Sequence, residues 1–202
     1  MSVEPEANEP RWAVPPVGGW TADDLDTLPN LPPHTELIDG SLVFVSPQTV
    51  FHERAIDYLK WQLQSLAPLD LEVFREFTID VDWQNRPEPD VVVVRADAVE
   101  SLRQTRFPAE AVVLAVEVVS DESLTRDRET KPVKYSRARI PHYWRVENHD
   151  GRVVVYVFEL EPSTGTYTST GIFHDRMKVS VPFPVDLDLT AITARRRAAA
   201  PE

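Results

Sequence analysis

The sequence predicts one α/β domain, a mixed β-sheet flanked by helices. Three observations predict it. Residues 91–94 and 111–119 are apolar without alternation, the pattern of strands buried on both faces. Residues 51–66 carry Ile56, Leu59, Leu63 and Leu66 at helical spacing. Asp39-Gly40 and Asp150-Gly151 each interrupt extended segments, which is a hairpin signal. The 202 residues match one domain and suffice to bury roughly 70% of the unfolded surface.

Along the chain, residues 1–19 hold four prolines and little apolar periodicity, so a mobile tail is expected there. The domain is expected over residues 20–190. Thr21 can cap a short helix over 22–28, with Asp23 and Asp24 in its first turn. Residues 36–47 read as a hairpin, 51–66 as the amphipathic helix, and 71–81 as one extended segment. The two buried strands follow, then a polar, basic stretch leading into a helix near 131–138. Residues 143–147 and 152–160 form a second hairpin, and 166–173 and 177–181 add edge strands. Residues 191–202 read as a basic, frayed tail, whose Arg195-Arg196-Arg197 is either solvated or set against an acidic partner.

Composition excludes several classes. Lysine and arginine number 21 against 33 acidic residues, a net charge of −12, which argues against a whole-surface nucleic-acid binder but leaves a local basic patch open. The absence of cysteine removes disulfides, Cys-based zinc sites and thiol catalysis. No run approaches the ~18 apolar residues of a membrane span, and the acidic N-terminus is unlike a signal peptide. A cytoplasmic compartment is therefore expected. No phosphate-binding or dinucleotide loop is present.

Two acids stand out. Period-two parity puts Val113, Ala115, Glu117 and Val119 on one strand face, with Val112, Leu114, Val116 and Val118 on the other. Both faces are apolar, so Glu117 either emerges into solvent at the strand end or is buried with a compensating partner. Asp90 sits directly before the other apolar strand, in ordinary turn chemistry or as a second functional carboxylate. Together the two could supply hard oxygen ligands to a divalent cation, with the Val118 carbonyl as another. Residues 125–145 add seven basic residues against Asp127 and Glu129, either a solvated charged face or one turned to phosphate. Pro132 belongs in a first helical turn, so that helix is expected to begin near Lys131, capped by Thr130. Asp127 and Lys131 then need not share a face.

The ordered set of segments resembles the Uma-two family of restriction-endonuclease-like proteins. The likeness runs from about Trp20 to Asp188. Its landmarks are Thr21-Ala-Asp-Asp-Leu, Glu36-Leu-Ile-Asp-Gly, Ser46-Pro47 with His52, and Pro89-Asp90. Val116-Glu117-Val118-Val119-Ser120, then Asp127, Lys131, Tyr135 and Ile140-Pro-His-Tyr-Trp-Arg-Val continue the series. The resemblance implies a branch of the PD-(D/E)XK nuclease superfamily, with a restriction-endonuclease-like core. It maps Asp90 and Glu117 onto the superfamily acids. The lysine position two residues later is Val119 here, and a lysine from the following helix substitutes, matched by Lys131 with Lys134 in reserve. Glu36 matches a recurrent acid near the metal, and Asp127 is supporting.

The implied function is endonuclease hydrolysis of DNA with Mg²⁺ or Mn²⁺ held by Asp90, Glu117 and Val118, and with Lys131 as the catalytic cation. His52 is either a satisfied helix histidine or an accessory group. An acidic chain is a poor duplex binder, so a homodimer that concentrates basic stripes, or weak binding, would be required. The alternative is a catalytically silent nucleic-acid-binding or regulatory module on the same fold. Trp12 and Trp83 are expected to be exposed contact points.

Overall fold

The computed structural model describes residues 14–194. Its centre is a six-stranded mixed sheet built from β3 (Leu71–Arg75), β5 (Val91–Arg95), β7 (Val112–Val118), β8 (His142–His149), β9 (Arg152–Glu161) and β10 (Thr166–Phe173). The spatial order is β10-β9-β8-β7-β5-β3. Only β7 and β8 run parallel, joined through helix α2 (Lys131–Arg137). Every neighbouring pair apart from that one is antiparallel.

Helix α1 (Val50–Leu66) covers one face of the sheet. Thr49 starts it by accepting the His52 amide, and Ala67 ends it in the extended conformation demanded by Pro68. Its apolar stripe of Ala55, Ile56, Leu59 and Leu63 packs on Val91, Val93, Leu114, Val116 and Trp144. The opposite face buries Val92, Val94 and Ala115 beneath Tyr135, Ile140 and Tyr143. Both central strands are thus covered twice, which is why they lack polar alternation.

Several boundaries differ from the sequence reading, each for a local reason. A register shift between Val93 and Val94 leaves Val113 as the extra residue of a bulge. Val112 therefore joins Ala115 instead of Leu114. The 71–81 segment breaks at Glu76, which has φ +47°. Beyond the break, β4 (Thr78–Asp80) leaves the main sheet to pair in parallel with β6 (Arg106–Pro108). Thr21 does cap a helix, but a 3₁₀ one, Ala22–Asp26, through a reciprocal box with Asp24.

The 177–181 segment forms β11 (Arg176–Val179), which pairs with β12 (Val185–Asp188) and not with the main sheet. Packing continues through α3 (Thr190–Thr193), so Ile192 belongs to the core although it falls in the expected tail. At the other end Gly19 lies against Gly40, and the Trp20 amide donates to the Gly40 carbonyl at 2.7 Å. Residues 1–13 and 195–202, including Trp12 and the arginine triplet, lie outside the described residues. Trp83 is 65% exposed.

Candidate functional site

The site forms where the ends of β5 and β7 meet the hairpin of β1 (Glu36–Ile38) and β2 (Ser41–Val43) and the start of α1. Asp39 and Gly40, both with positive φ, close that hairpin. Glu117 is buried, 1% exposed, on the sheet face covered by α2. The strand does not emerge into solvent at this position, and the buried alternative holds.

Glu117 has its partners. The Tyr135 hydroxyl donates to Oε1 at 2.5 Å, and Lys131 Nζ donates to Oε2 at 3.1 Å. The same ammonium lies 2.9 Å from Glu36 Oε1 and 3.5 Å from Asp127 Oδ1. Glu36 also accepts the Glu88 amide at 2.8 Å, which ties the first hairpin to the approach to β5. Asp90 is held at both oxygens. Oδ2 accepts the Val118 amide at 2.5 Å, and Oδ1 is 3.2 Å from His52 Nε2.

The structure therefore brings Asp90, Glu117, Lys131, Glu36, His52 and Asp127 around one cavity of about 220 Å³. Lys134 is not among them. Its ammonium turns outward to pair with Asp39. Val118 contributes its amide to the network seen here, through Asp90. Tyr135 is a partner that sequence reasoning quoted only as a landmark. Its i+4 spacing from Lys131 was the available signal, since such residues share a helix face.

The helix carrying these groups corrects a second expectation. Helical turns run unbroken from residue 124 to 137, and residues Arg126–Thr130 form a π-helical turn. The Lys131 amide donates to the Arg126 carbonyl five residues back. Thr130 is helical and makes no side-chain cap. Pro132 thus sits inside a helix, directly after a widened turn that accommodates a residue without an amide hydrogen. Because the turns are continuous, Asp127 and Lys131 do share a face.

The basic stretch is mostly neutralised by its surroundings. Arg128 and Arg145 both bind Glu147, whose other partner is His149. Arg145 also lies over the Tyr156 ring. Around Glu147 the stretch is therefore a paired surface, not an open phosphate track.

Burial raises the Glu117 carboxyl well above its ordinary range, with Lys131 opposing and Asp127, Asp90 and Glu36 adding to the rise. Burial alone would lower Lys131, but Glu117, Glu36, Asp127 and Asp90 together hold it well above its usual value. It stays an ammonium. Burial also raises Asp127 against the pull of Lys131 and Ser123, and raises Tyr135, which remains a phenol donor. Burial works to lower His52, but its bond to Asp90 and the charges of Asp90, Glu53 and Glu76 together raise it overall.

Four carboxylates (Glu36, Asp90, Glu117 and Asp127) thus line one cavity, three of them on a single lysine. Hard oxygens in excess over cations are the donor chemistry of Mg²⁺ or Mn²⁺, so the residues fit such an ion. Among the described residues, no three acidic or histidine side chains are already drawn to ligand spacing.

Comparison with known proteins follows the same direction. Residues 22–192 match the model of the Uma2 family, described as "Putative restriction endonuclease". No curated protein matches the chain. The fold is similar to that of a solved Anabaena variabilis ATCC 29413 protein described as "a putative nuclease belonging to DUF820". That likeness has a TM-score of 0.62 at 15% identity, covering 86% of this chain and 97% of that one. A likeness to P. aeruginosa ATCC27853 NucC, in its cAAA-bound form, has a TM-score of 0.32 at 12% identity. It covers 62% of this chain and 85% of that one, and carries no argument. The likeness shows the fold, and the family match supports a nuclease-like function. With its match extending from residue 22 to residue 192, the chain belongs to the Uma2 family.

Proposed function

We propose that this protein is a metal-dependent endonuclease that hydrolyses phosphodiester bonds in DNA. The observation that carries the reading is the convergence of Asp90, Glu117 and Lys131 on one cavity. Asp90 and Glu117 would hold Mg²⁺ or Mn²⁺, with the Val118 carbonyl as a further ligand. When bound, such an ion supplies a water of lowered pKa and offsets charge on the phosphate. The family description, a restriction endonuclease, favours DNA as the substrate.

The chain's own residues orient and balance charge. His52 and the Val118 amide fix the two oxygens of Asp90. Tyr135 and Lys131 fix those of Glu117, while Glu36 and Asp127 keep the ammonium at the cavity. Because Lys131 stays protonated, it serves as a donor to the attacking water or a phosphate oxygen and not as a base. Glu88, Asp121 and Glu122 also line the cavity, so a substrate phosphate needs a compensating cation to enter.

Supercoiled plasmid incubated with Mg²⁺ or Mn²⁺ tests the reading. Wild-type protein is expected to nick or linearise it, and Glu117→Ala to leave it intact. No cleavage of plasmid or single strands with either ion would overturn the proposal. A second reading, a silent nucleic-acid-binding module, draws on the lysine being already engaged by three carboxylates. It expects retention of DNA on the protein without any cleavage.

A further inference from the structure

The cavity contains a cation that the network above leaves unused. Seven acidic side chains line it, with Lys131 and Arg126 as its lysine and arginine. Lys131 is engaged by three carboxylates. The Arg126 side chain makes no hydrogen bond or ion pair to any described residue, and its Nε is shielded from water without a partner. A guanidinium among so many acids would ordinarily be captured by one of them, as Arg86 is by Asp26 and Asp80. Three further cations of the basic stretch follow that rule. Arg128 and Arg145 are tied to Glu147 and Lys134 to Asp39.

Arg126 opens the π-helical turn, and its own carbonyl accepts the Lys131 amide. Its position is therefore coupled through backbone to the lysine that touches Glu117. An unmet shielded donor is costly unless a ligand meets it, and five donors in a planar fork match a phosphate's oxygens.

We propose that Arg126 grips a backbone phosphate next to the one cleaved, making it a substrate-binding residue of this cavity. The inference rests on the nuclease reading and adds the positioning contact that reading lacks. A phosphate held there would lie within a cavity's width of Asp90 and Glu117, fixing the register of the strand.

The test is binding of a labelled DNA duplex, followed by fluorescence anisotropy across a salt series in Ca²⁺, with the probe checked for cleavage. Variants are Arg126→Ala, Arg126→Lys and, as a charge-matched control outside the cavity, Arg152→Ala. Arg126→Ala is expected to weaken binding about tenfold and to flatten the salt dependence by roughly one phosphate contact, with Arg126→Lys between it and wild type. Arg152→Ala is expected to bind as wild type. If Arg126→Ala keeps wild-type affinity and slope, the inference fails while the nuclease reading stands. Equal weakening by Arg152→Ala would make the effect one of net charge and overturn the clamp. If wild-type protein binds no DNA, both the clamp and the reading beneath it fall.

Discussion

The Tyr135 hydroxyl lies 2.5 Å from Glu117 Oε1, one helical turn beyond the Lys131 ammonium that holds Oε2 at 3.1 Å. One helix therefore supplies both donors to one buried carboxylate. Glu117, Lys131 and Tyr135 are all buried, and Tyr135 lies behind the cavity lining, out of reach of its water.

Tyr135→Phe keeps the ring packed and removes only the hydroxyl. Glu117 then loses one donor, and an unmet buried acceptor costs about 1–3 kcal/mol. Urea denaturation should show that loss of stability. An unchanged midpoint would mean that the hydrogen bond contributes nothing net.

Lys131→Met fills similar volume but leaves Glu36, Glu117 and Asp127 without their shared cation. Breaking one side of a buried ion cluster costs about 3–5 kcal/mol. The loss should shrink in acid. Without the ammonium, the folded value of Glu117, already raised by burial, rises further above its unfolded value. The folded state then binds the extra proton, so the variant's stability is greatest below the unfolded value and is lost as pH rises through the folded one. Melting curves at about pH 8 and about pH 5.5 should show the gap to wild type closing, and a constant gap would contradict the argument.

Millimolar Mn²⁺ should raise the melting temperature of the wild-type protein and leave Glu117→Ala unmoved. Saturating a site a hundredfold above its Kd adds about 2.7 kcal/mol. A rise that persists in Glu117→Ala would put the ion elsewhere.

Glu147 gives an independent acid signature. Burial works to raise it, yet Arg128, His149 and Arg145 draw it down to about 2 from 4.5. Its folded value lies below its unfolded one, so its contribution is complete above about pH 4.5 and lost as pH falls through about 2. Discounted for the 40% exposure of the Arg128 side chain, the contribution is on the order of 2 kcal/mol. Glu147→Gln should lower stability at neutral pH and flatten its acid dependence. Parallel profiles would refute the assignment.

How much of this was legible in the sequence varied with the physical signal. Runs of valine at 91–94 and 111–119 marked the doubly covered strands, because burial on both faces removes alternation. Asp-Gly pairs marked both hairpins, because only such residues settle easily at positive φ. The alternating Val185-Asp-Leu-Asp188 carried a strand signal too and was passed over, although Val185 and Leu187 are buried. The approach of Glu36 to Lys131 was not readable from spacing, since it depends on two elements far apart in the chain meeting. The misjudged helix start had a specific cause. Proline is ordinarily confined to the first turn of an α-helix, and nothing local announces that the turn preceding Pro132 is wider than α.

That wide turn also decides how the site responds to a change in chain length. Residues Arg126–Thr130 accommodate one residue more than an α-helical turn would. Deleting a single residue such as Glu129, which is exposed, would remove the extra residue and the extra width together, so the side chains beyond it would point nearly as they do now. The cost would fall on Pro132, whose ring would then meet a regular turn that makes no room for it. A residue added or removed between Lys131 and Tyr135 has no such reserve, and would swing the two donors apart by roughly 100° about the axis. The wide turn works here as slack of one residue upstream of a pair whose own spacing is fixed.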